Sequence, residues 1–367
     1  MMTPRVLGIV GGGQLARMLA LAAIPLGVRV RVLEPGDDPP AAACAEVVRG
    51  AYDDPAALDR LAAGATAVTS EFENVPAAAL AHLAARGVRV DPCADAFATA
   101  QDRLPEKQCF RAVGLETAPF AAVDDRAGLD AAIARIGAPG ILKTRRLGYD
   151  GKGQHRLRSP ADAAAAWAAL SGQPLIYEGL VPFDSECSLL CVRSREGEVR
   201  CWPLVENEHV GGILHWSRAP ARGAAALQAQ AEAHARAILA RLGYVGVLAI
   251  EFFRVGDRLI GNEMAPRVHN SGHWTIEGAR TSQFANHVRA VCGLPLGDTG
   301  VRAPSAMRNL VGRMPPLARL LAISGAAVHD YGKAERPGRK LGHVTIIAAD
   351  DAELDRRMAE VDAACAL

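Results

Sequence analysis

Two glutamates in neighbouring strand-like segments have the residue types and spacing that most directly suggest chemistry. Glu251 lies in an otherwise apolar run, Glu263 ends the next run, and a Val-Gly-Asp turn separates them. A hairpin with this turn places the carboxylates roughly opposite each other, and opposed like charges destabilise a hairpin. Mg²⁺ would remove the conflict, because it binds one or two carboxylates together with substrate phosphates. A solvated hairpin face fits Glu263 but fits Glu251 poorly, so the pair predicts a magnesium site.

A basic, glycine-rich segment suggests a second kind of chemistry. Lys143 ends a β-rich run, and the residues that follow include Gly148, Gly151, Lys152 and Gly153. Glycines let the backbone fold closely over a polyanion, while lysines offer point charges to phosphate oxygens. The spacing is not that of a P-loop. Charge alone would favour an exposed basic hairpin, but a strand-end lysine followed by a glycine-rich flap favours phosphate binding.

The run Pro-Arg-Val-His-Asn-Ser-Gly-His-Trp over residues 266–274 directly follows the predicted hairpin. The four-residue spacing of His269 and His273 invites a zinc interpretation. The proline and glycine predict a loop, however, and no glutamate adjoins His269 as a helical zinc-protease motif requires. Arg267, His269 and Asn270 suit a small oxyanion such as a carboxylate or bicarbonate. A buried core histidine is the structural alternative for either histidine taken alone.

Glycines near the N-terminus follow a predicted strand and open a predicted helix. Gly11, Gly13 and Ala16 fit Gly-x-Gly-x-x-Ala, and Glu34 ends the next strand, as in dinucleotide-binding folds. Many strand–helix turns carry glycines only for tight packing. The nicotinamide interpretation also lacks a second half-fold and a catalytic constellation. We therefore expect an anion or substrate contact here, with NAD as the minority hypothesis.

A second basic cluster lies late in the chain. Lys333 and the Gly/Pro loop with Arg336, Arg339 and Lys340 could hold a phosphate monoester, because arginine and lysine both bind phosphate oxygens. A solvated charged loop is about as good an explanation of this segment when it is read alone.

The elements that would position these residues divide the chain into three parts. Strand–helix alternation over 1–100 predicts a parallel sheet covered on both faces, with ligands at the carboxyl ends of its strands. Residues 101–299 mix helices and hairpins and predict an α+β domain, and 300–367 predict a small β-rich cap. The predicted strands are 6–10, 28–33, 67–70, 88–91, 140–143, 174–178, 187–193, 199–205, 247–253, 258–263 and 344–348, and the helices are 14–23, 55–63, 76–86, 101–113, 161–170 and 224–242.

Composition excludes several classes of protein. The 367 residues carry 41 Lys and Arg against 40 Asp and Glu, a formal charge of +1, which argues against a nucleic-acid or membrane-surface binder. No apolar run approaches the length of a membrane span, and the N-terminus lacks a signal-peptide layout. The eight cysteines are scattered without a Cys-x-x-Cys, as expected in a reducing cytoplasm.

Together, these segments resemble one family: the 5-(carboxyamino)imidazole ribonucleotide synthases, ATP-grasp ligases of purine biosynthesis. The resemblance spans nearly the whole chain, and Gly-Tyr-Asp-Gly-Lys-Gly-Gln and Pro-Arg-x-His-Asn-Ser-Gly-His-Trp are its most specific motifs. The segments that carry it are Gly13–Leu15, Glu71–Pro76, Gln101–Arg103, Arg145–Gln154, Glu251 with Glu263, His269–Trp274 and Arg336–His343.

The resemblance implies an N-terminal Rossmann-like pre-ATP-grasp domain, a central ATP-grasp domain and a small C-terminal β-rich domain. It also implies that ATP, bicarbonate and 5-aminoimidazole ribonucleotide give the N-carboxylated ribonucleotide, ADP and phosphate. Bicarbonate would attack the γ-phosphoryl group, and the carboxyphosphate formed would carboxylate the exocyclic amine, without biotin. The family further suggests a homodimer. The chain ends soon after His343, so a short cap is expected.

Residue roles follow from the same resemblance. The ATP site would comprise Arg103 and Lys143 at the phosphates, the flap residues Gly148, Tyr149, Asp150, Gly151, Lys152, Gly153 and Gln154, the adenine and ribose contacts Glu178, Gly179, Leu180, Val181 and Glu186, and His209. Glu251 and Glu263, helped by Asn262, would hold Mg²⁺, and Arg267, His269 and Asn270 would hold bicarbonate. The ribonucleotide candidates are Gly13, Gln14, Leu15, Glu73, Tyr149, Asp150, Lys152, His273, Lys333, Arg339 and Lys340.

Other functions remain as rivals at this point. An NAD-dependent oxidoreductase would use the N-terminal glycine turn, and a non-catalytic nucleotide-binding module would bind ATP without turnover. Within the ATP-grasp class, a formate-using purine ligase is the nearer competitor, and a biotin carboxylase is less favoured because those chains are usually longer.

Overall fold

The computed structural model describes residues 5–148 and 151–366 and contains three β-sheets. The first sheet is parallel, with the order β3-β2-β1-β4. Its elements are β1 (Arg5–Val10), α1 (Gln14–Ala23), β2 (Val28–Glu34), β3 (Glu46–Arg49), α2 (Pro55–Ala62), β4 (Ala67–Ser70) and α3 (Ala77–Ala85). The predicted strand over 88–91 is wrong, since this segment makes only an isolated bridge between Val68 and Val90. Pro92 has no N–H, so the ladder ends there.

A small antiparallel sheet follows, with the order β5-β8-β6-β7. Two helices precede it, α4 (Ala94–Ala100) and α5 (Arg103–Ala112). The side chain of Asp102 caps α5 by accepting the Leu104 N–H. The sheet and its helices comprise β5 (Phe120–Val123), α6 (Arg126–Ile136), β6 (Gly140–Thr144), β7 (Gln154–Leu157), α7 (Ala163–Leu170) and β8 (Leu175–Gly179).

The third sheet has nine strands and includes the C-terminal part of the chain. Its order is β14-β13-β9-β11-β12-β15-β17-β16, with β10 paired to β9. Its strands are β9 (Ser185–Arg193), β10 (Val199–Cys201), β11 (Val205–Val210), β12 (Ile213–Ala219), β13 (Gly246–Val255), β14 (Arg258–Ala265), β15 (Ser305–Val311), β16 (Ala326–Asp330) and β17 (Lys340–Ile347). The helices around it are α8 (Ala225–Arg241), α9 (Thr275–Gly278), α10 (Gln283–Val291), α11 (Leu317–Leu321) and α12 (Asp351–Cys365).

Two features of this sheet differ from the sequence-based expectation. The single strand predicted over 199–205 is wrong: β10 and β11 are separate, and Pro203 between them has no N–H for a continuous ladder. The predicted C-terminal strands pair with the central sheet through β12 and β15, and α12 packs against β15 and β17.

One buried apolar cluster joins the N-terminal and central parts. It contains Leu7 and Val30 from the first sheet together with Val247, Trp274 and Phe284 from the central region. Because the two parts share a core, their relative placement is set by side-chain packing. In the portion of the chain that the structure describes, no helix has the length and apolar character needed to span a membrane.

Candidate active site

A cavity of about 450 Å³ lies where the three sheets meet. The carboxyl ends of β1 and β4 reach it through Gln14 and Glu71, as expected for the edge of a parallel sheet. The predicted site residues that line it are Gln14, Leu15, Glu73, Arg103, Gly148, His209, Glu251, Glu263, Arg267, His269, Asn270, His273 and Lys340. These residues are dispersed over the sequence, so the fold brings together members of the predicted nucleotide, metal, oxyanion and ribonucleotide sets.

The two glutamates face each other as predicted. Glu251 on β13 is paired in register with Glu263 on β14, and a bulge follows this pair. Burial and repulsion from Glu263 raise the pKa of Glu251. Burial would also raise the pKa of Glu263, but Arg103, whose Nη1 lies 2.9 Å from Glu263 Oε2, lowers it. The repulsion inferred from the sequence is therefore present in the folded protein.

The acid pair fits a cation that takes few protein ligands. Within residues 5–148 and 151–366, no group of three or more His, Cys, Asp and Glu side chains is arranged to hold a metal. Two carboxylates, with Asn262 beside them at the bulge, leave most of a coordination shell to other oxygen donors. Magnesium is commonly bound in this way, through one or two carboxylates and substrate phosphates.

A group of buried cations surrounds Glu178 near the end of β8. Lys143 Nζ on β6 lies 2.9 Å from one carboxylate oxygen, and Lys107 Nζ on α5 lies 3.3 Å from the other. Burial would raise the pKa of Glu178, but Lys143 and Lys107 lower it to about 2. Lys143 lies outside the cavity lining, and burial lowers its pKa. The carboxylate is thus charged and shared between two lysines.

The start of the predicted flap is anchored by Asp102 at the N-terminus of α5. Arg145 donates from Nε and Nη2 to the two carboxylate oxygens of Asp102, at 2.8 and 2.7 Å. Gly153 adopts a φ of +68°, and a Cβ there would lie 2.7 Å from Thr144 Oγ1, so a glycine is required. Gly148 lines the cavity, whereas Gly151, Lys152, Gly153 and Gln154 do not. The predicted site residues Tyr149 and Asp150 lie outside the described residues.

The other predicted nucleotide residues lie on or directly after β8 and on β9, β11 and β14. His209 lines the cavity, and its Nδ1 lies 2.7 Å from Glu186 Oε2 on the neighbouring strand. Burial lowers the pKa of His209, but Glu186 outweighs this effect and the net shift is upward. The remaining members of this set, which lie outside the lining, are Glu178, Gly179, Leu180, Val181 and Asn262.

The predicted oxyanion residues are held rigidly beside the acid pair. The backbone of His269 is fixed by Gln283, which accepts from His269 N at 2.9 Å and donates to His269 O at 2.6 Å. The Nδ1 of His269 accepts the Ser271 N–H, which leaves its Nε2 3.5 Å from Glu251 Oε1. Burial and the nearby Arg267 guanidinium hold the pKa of His269 well below its usual range. His269 is therefore a neutral side chain at neutral pH.

Two further contacts fix the neighbours of His269. Arg267 Nη2 donates to Glu73 Oε2 at 2.6 Å, and Asn270 exchanges amide hydrogen bonds of 2.9 and 2.7 Å with Asn309. The histidine spacing is not that of a metal site: His273 packs on Phe284 and accepts from Gln283, while His269 points to Glu251. Burial holds the pKa of His273 well below its usual range.

The N-terminal glycine turn is not an open phosphate cradle. Gly12 N donates to Glu34 at 2.9 Å, and Gly13 N and Ala16 N donate to the two carboxylate oxygens of Glu71. Both anions come from the protein itself, so the dinucleotide interpretation loses the donors that it requires. Gly13 lies against Glu71, outside the cavity lining.

The C-terminal basic loop reaches the same cavity. Lys333 Nζ donates to the side-chain oxygen of Gln14, which joins this loop to the start of α1. Lys340 lines the cavity, whereas Arg339 lies outside the lining and donates to Ala334 O at 3.1 Å. The sequence left two explanations open for this loop, a phosphate-monoester site and a solvated charged loop. The first fits Lys340, and the second fits Arg339.

Several residues of the site were assigned no role from the sequence. Glu71 follows β4 at the carboxyl end of the parallel sheet, a position that could have identified it. Lys107 and Glu106 follow Arg103 at helical spacing, so their shared face with Arg103 was readable once α5 was predicted. Tyr331 lines the cavity from the C-terminal region and carries no sequence signal.

Comparison with known protein families gives the class to which this architecture belongs. Residues 2–101 match the ribonucleotide synthetase preATP-grasp domain, 108–284 the ATP-grasp domain and 305–357 the phosphoribosylaminoimidazole carboxylase C-terminal domain. The three sheets and the cavity between them are those of an ATP-grasp ligase, an enzyme that forms a carbon–nitrogen bond and releases ADP.

Individual relatives narrow the class to one family. The N5-carboxyaminoimidazole ribonucleotide synthase of Pseudomonas aeruginosa is 52% identical over 357 residues, which cover 97% of this chain and 98% of that protein. The crystal structure of the Thermus thermophilus synthetase is 52% identical, with a TM-score of 0.95 and coverage of 98% and 99%. The Aspergillus clavatus synthase, crystallised with ADP and 5-aminoimidazole ribonucleotide, is 32% identical, with a TM-score of 0.91 and coverage of 98% of each chain. This chain belongs to the N5-carboxyaminoimidazole ribonucleotide synthase family, as the sequence motifs predicted.

Proposed function

We propose that this enzyme carboxylates the exocyclic amine of 5-aminoimidazole ribonucleotide with bicarbonate, at the expense of ATP, in purine biosynthesis. The products are N5-carboxyaminoimidazole ribonucleotide, ADP and phosphate. The observation that carries the proposal is one cavity lined by the acid pair, Arg103 and the Arg267–Asn270 turn. A relative with the same fold was crystallised with ADP and this ribonucleotide, which supports the same choice of substrates.

The nucleotide end of the site uses positioning and charge. Arg103 and Lys143 would contact the ATP phosphates, and Glu178–Val181 with Glu186 and His209 would contact adenine and ribose. Glu251 and Glu263 would hold Mg²⁺, which when bound neutralises phosphate charge. Phosphoryl transfer depends mainly on positioning and electrostatic stabilisation, so these residues can serve it without covalent chemistry of their own.

Arg267, His269 and Asn270 would hold bicarbonate next to the acid pair. A bicarbonate oxygen attacks the γ-phosphorus, the bond to the β–γ bridging oxygen breaks, and ADP leaves. The carboxyl carbon of the resulting carboxyphosphate is then transferred to the amine nitrogen, while phosphate leaves and the nitrogen loses a proton. Arg267 supplies a fixed positive charge for the anion, and His269, being neutral, donates or accepts a hydrogen bond without competing with it.

The ribonucleotide would occupy the part of the cavity formed by the N- and C-terminal regions. Gln14, Leu15, Glu73, His273 and Lys340 line this part. Lys333 would act beside Gln14, to which it is hydrogen-bonded. Gly13, Tyr149, Asp150, Lys152 and Arg339 remain predictions from the family motif. Carboxyphosphate hydrolyses readily, so a flap over 145–154 that excludes water would protect it.

One assay tests the proposed function. ADP release is measured with ATP, bicarbonate and 5-aminoimidazole ribonucleotide together, and then with each omitted in turn. We expect full turnover only with all three and a carboxylated ribonucleotide as product. Turnover with formate in place of bicarbonate would show the formate-using ligase instead. ATP binding without any turnover would show a nucleotide-binding module.

We also propose domain boundaries near residues 100 and 300 from the change in the pattern of elements, a cytoplasmic location from the scattered cysteines, and a homodimer as the family resemblance implies. The exposed apolar side chains of Leu21 and Ile24, 49% and 58% exposed, support a partner on the outer face of the first domain. Light scattering on the purified chain tests the dimer, and a monomeric mass at micromolar concentration would contradict it.

A further inference from the structure

Lys107 is a buried cation to which the family motifs assign no role. It is 1% exposed, although lysine is rarely buried so completely without a partner. Its Nζ donates to the Asn262 carbonyl on β14 at 3.2 Å and lies 3.3 Å from Glu178 Oε1 on β8. The residue therefore bridges the small antiparallel sheet and the nine-stranded sheet, between which the nucleotide is proposed to bind.

The helix that carries Lys107 is fixed along β14 by three successive contacts. Arg103, Glu106 and Lys107 occupy one face of α5, at positions i, i+3 and i+4. Arg103 donates to Glu263 at 2.9 Å, Glu106 accepts from Met264 N at 2.6 Å and Lys107 donates to Asn262 O. The position of the Lys107 ammonium is therefore set by β14, the strand that carries Glu263.

The contact of Lys107 with Glu178 is electrostatic. Glu178 Oε1 has no hydrogen-bond partner among the described residues, whereas Oε2 accepts from Lys143 Nζ at 2.9 Å. One carboxylate thus balances two ammonium groups, and the local charge remains positive. If Lys107 were neutral, Lys143 and the more weakly interacting Arg103 would be left to balance the Glu178 charge, which would offset more of the attraction of Lys143 for a phosphate.

We propose that Lys107 is a positioning residue for nucleotide binding: it holds β8 against β14 and shares Glu178, so that Lys143 keeps its positive charge available to the ATP phosphates. This inference rests on the proposed function in assigning Lys143 and Glu178 to the nucleotide site. Lys107 lies outside the cavity lining and acts through Glu178.

The test compares Lys107→Met, which keeps the length of the side chain but removes its charge, with Gln108→Met at the next, exposed position of α5. Affinity for MgADP is measured by calorimetry, and kcat and the KM for ATP are measured separately. We expect about tenfold weaker ADP binding and a higher KM for Lys107→Met, because the Glu178 charge would then offset more of the attraction of Lys143 for the phosphates. We expect kcat at saturating ATP to be retained. Gln108→Met should match the wild type.

A purely structural lysine would lower the unfolding temperature but leave ADP affinity unchanged, and that result would overturn the proposal. A double-mutant cycle with Glu178→Gln adds a second comparison. Lys107→Met should have little further effect on ADP affinity in the Glu178→Gln background, and a further tenfold loss there would also overturn it. If Lys107→Met alone fails to fold, ADP affinity is compared between Glu178→Gln and the double variant, in which the buried carboxylate charge is absent.

Wild-type protein that binds ADP but forms no carboxylated product would contradict the proposed function and leave this inference intact.

Discussion

In the acid pair, a single contact with Arg103 makes the pKa values of the two carboxyl groups shift in opposite directions. Arg103 binds Glu263 and lowers its pKa, while Glu251 opposite has its pKa raised by burial and by Glu263. The pair is thus polarised, with one carboxylate stabilised as an anion and the other favouring a proton. A bound divalent cation would stabilise both as anions, so cation binding should release a proton.

We expect Glu263→Gln to reduce bicarbonate-dependent ADP release by about 10²-fold or more, because it removes a proposed cation ligand and leaves Arg103 without its partner. The measurement is steady-state ADP release over a range of Mg²⁺ concentrations. Glu116→Gln is the matched control, since Glu116 is an exposed glutamate whose Oε2 lies 3.1 Å from Arg258 at the far end of β14. Wild-type turnover and Mg²⁺ dependence in folded Glu263→Gln would remove Glu263 from the site.

At the scale of elements, α5 links the flap to the nine-stranded sheet. Asp102 caps its first turn and also holds Arg145 at the start of the flap. Burial would raise the pKa of Asp102, but its hydrogen bonds to Arg145 and Leu104 lower it. One buried carboxylate therefore fixes both the helix terminus and the segment that would cover the phosphates.

Asp102→Asn separates these two effects, because asparagine caps a helix about as well as aspartate but cannot form the ion pair. We expect a loss of about 2 kcal/mol in unfolding free energy, together with a higher KM for ATP. Asp125→Asn, at the N-cap of α6, is the matched control and should cost only a few tenths of a kcal/mol. Urea denaturation of both variants gives the comparison. Equal losses would mean that the contact with Arg145 contributes nothing.

Local patterns predicted the acid pair and many of the elements, because alternation and turns are short-range signals. They missed others, among them β3, α6, α10 and α12. The register of Glu251 and Glu263 followed from a tight turn, and the 266–274 loop from its glycine and proline. Contacts between distant residues carried no such signal. Packing in the folded chain brings the Glu71 carboxylate to the backbone N–H groups of the glycine turn. It also places Lys107 between two sheets.

At the scale of the whole molecule, single side chains join the three parts around the cavity. Arg267 on the central region binds Glu73 of the first domain, and Lys333 of the C-terminal region binds Gln14. His287 on α10 forms a third link behind the site. It accepts from Val247 N on β13 at 3.1 Å, so its Nε2 carries the proton and donates to Thr69 Oγ1 on β4 at 2.9 Å.

The neutral state of His287 makes the stability of this assembly depend on pH. Burial lowers the pKa of His287 to about 4, against about 6.5 in an unfolded chain. Between these values the unfolded chain binds a proton that the native protein does not. The native state should therefore lose up to about 1.4 kcal/mol of stability per pH unit from this group as the pH falls from 6.5 to 4. His269, His273 and His343, whose pKa values burial also lowers, add losses of the same sign.

His287→Gln removes the contribution of His287 to the pH dependence of stability. An amide can accept from Val247 N or donate to Thr69, but it does not titrate in this range. We expect a shallower fall of the urea midpoint between pH 6.5 and 4 for the variant than for the wild type, whatever the two proteins' difference at pH 7.5. Gln108→Ala, at an exposed position of α5, removes no titratable group and should leave the slope unchanged. Parallel pH profiles for wild type and His287→Gln would show that His287 is protonated in the folded protein as readily as in the unfolded chain.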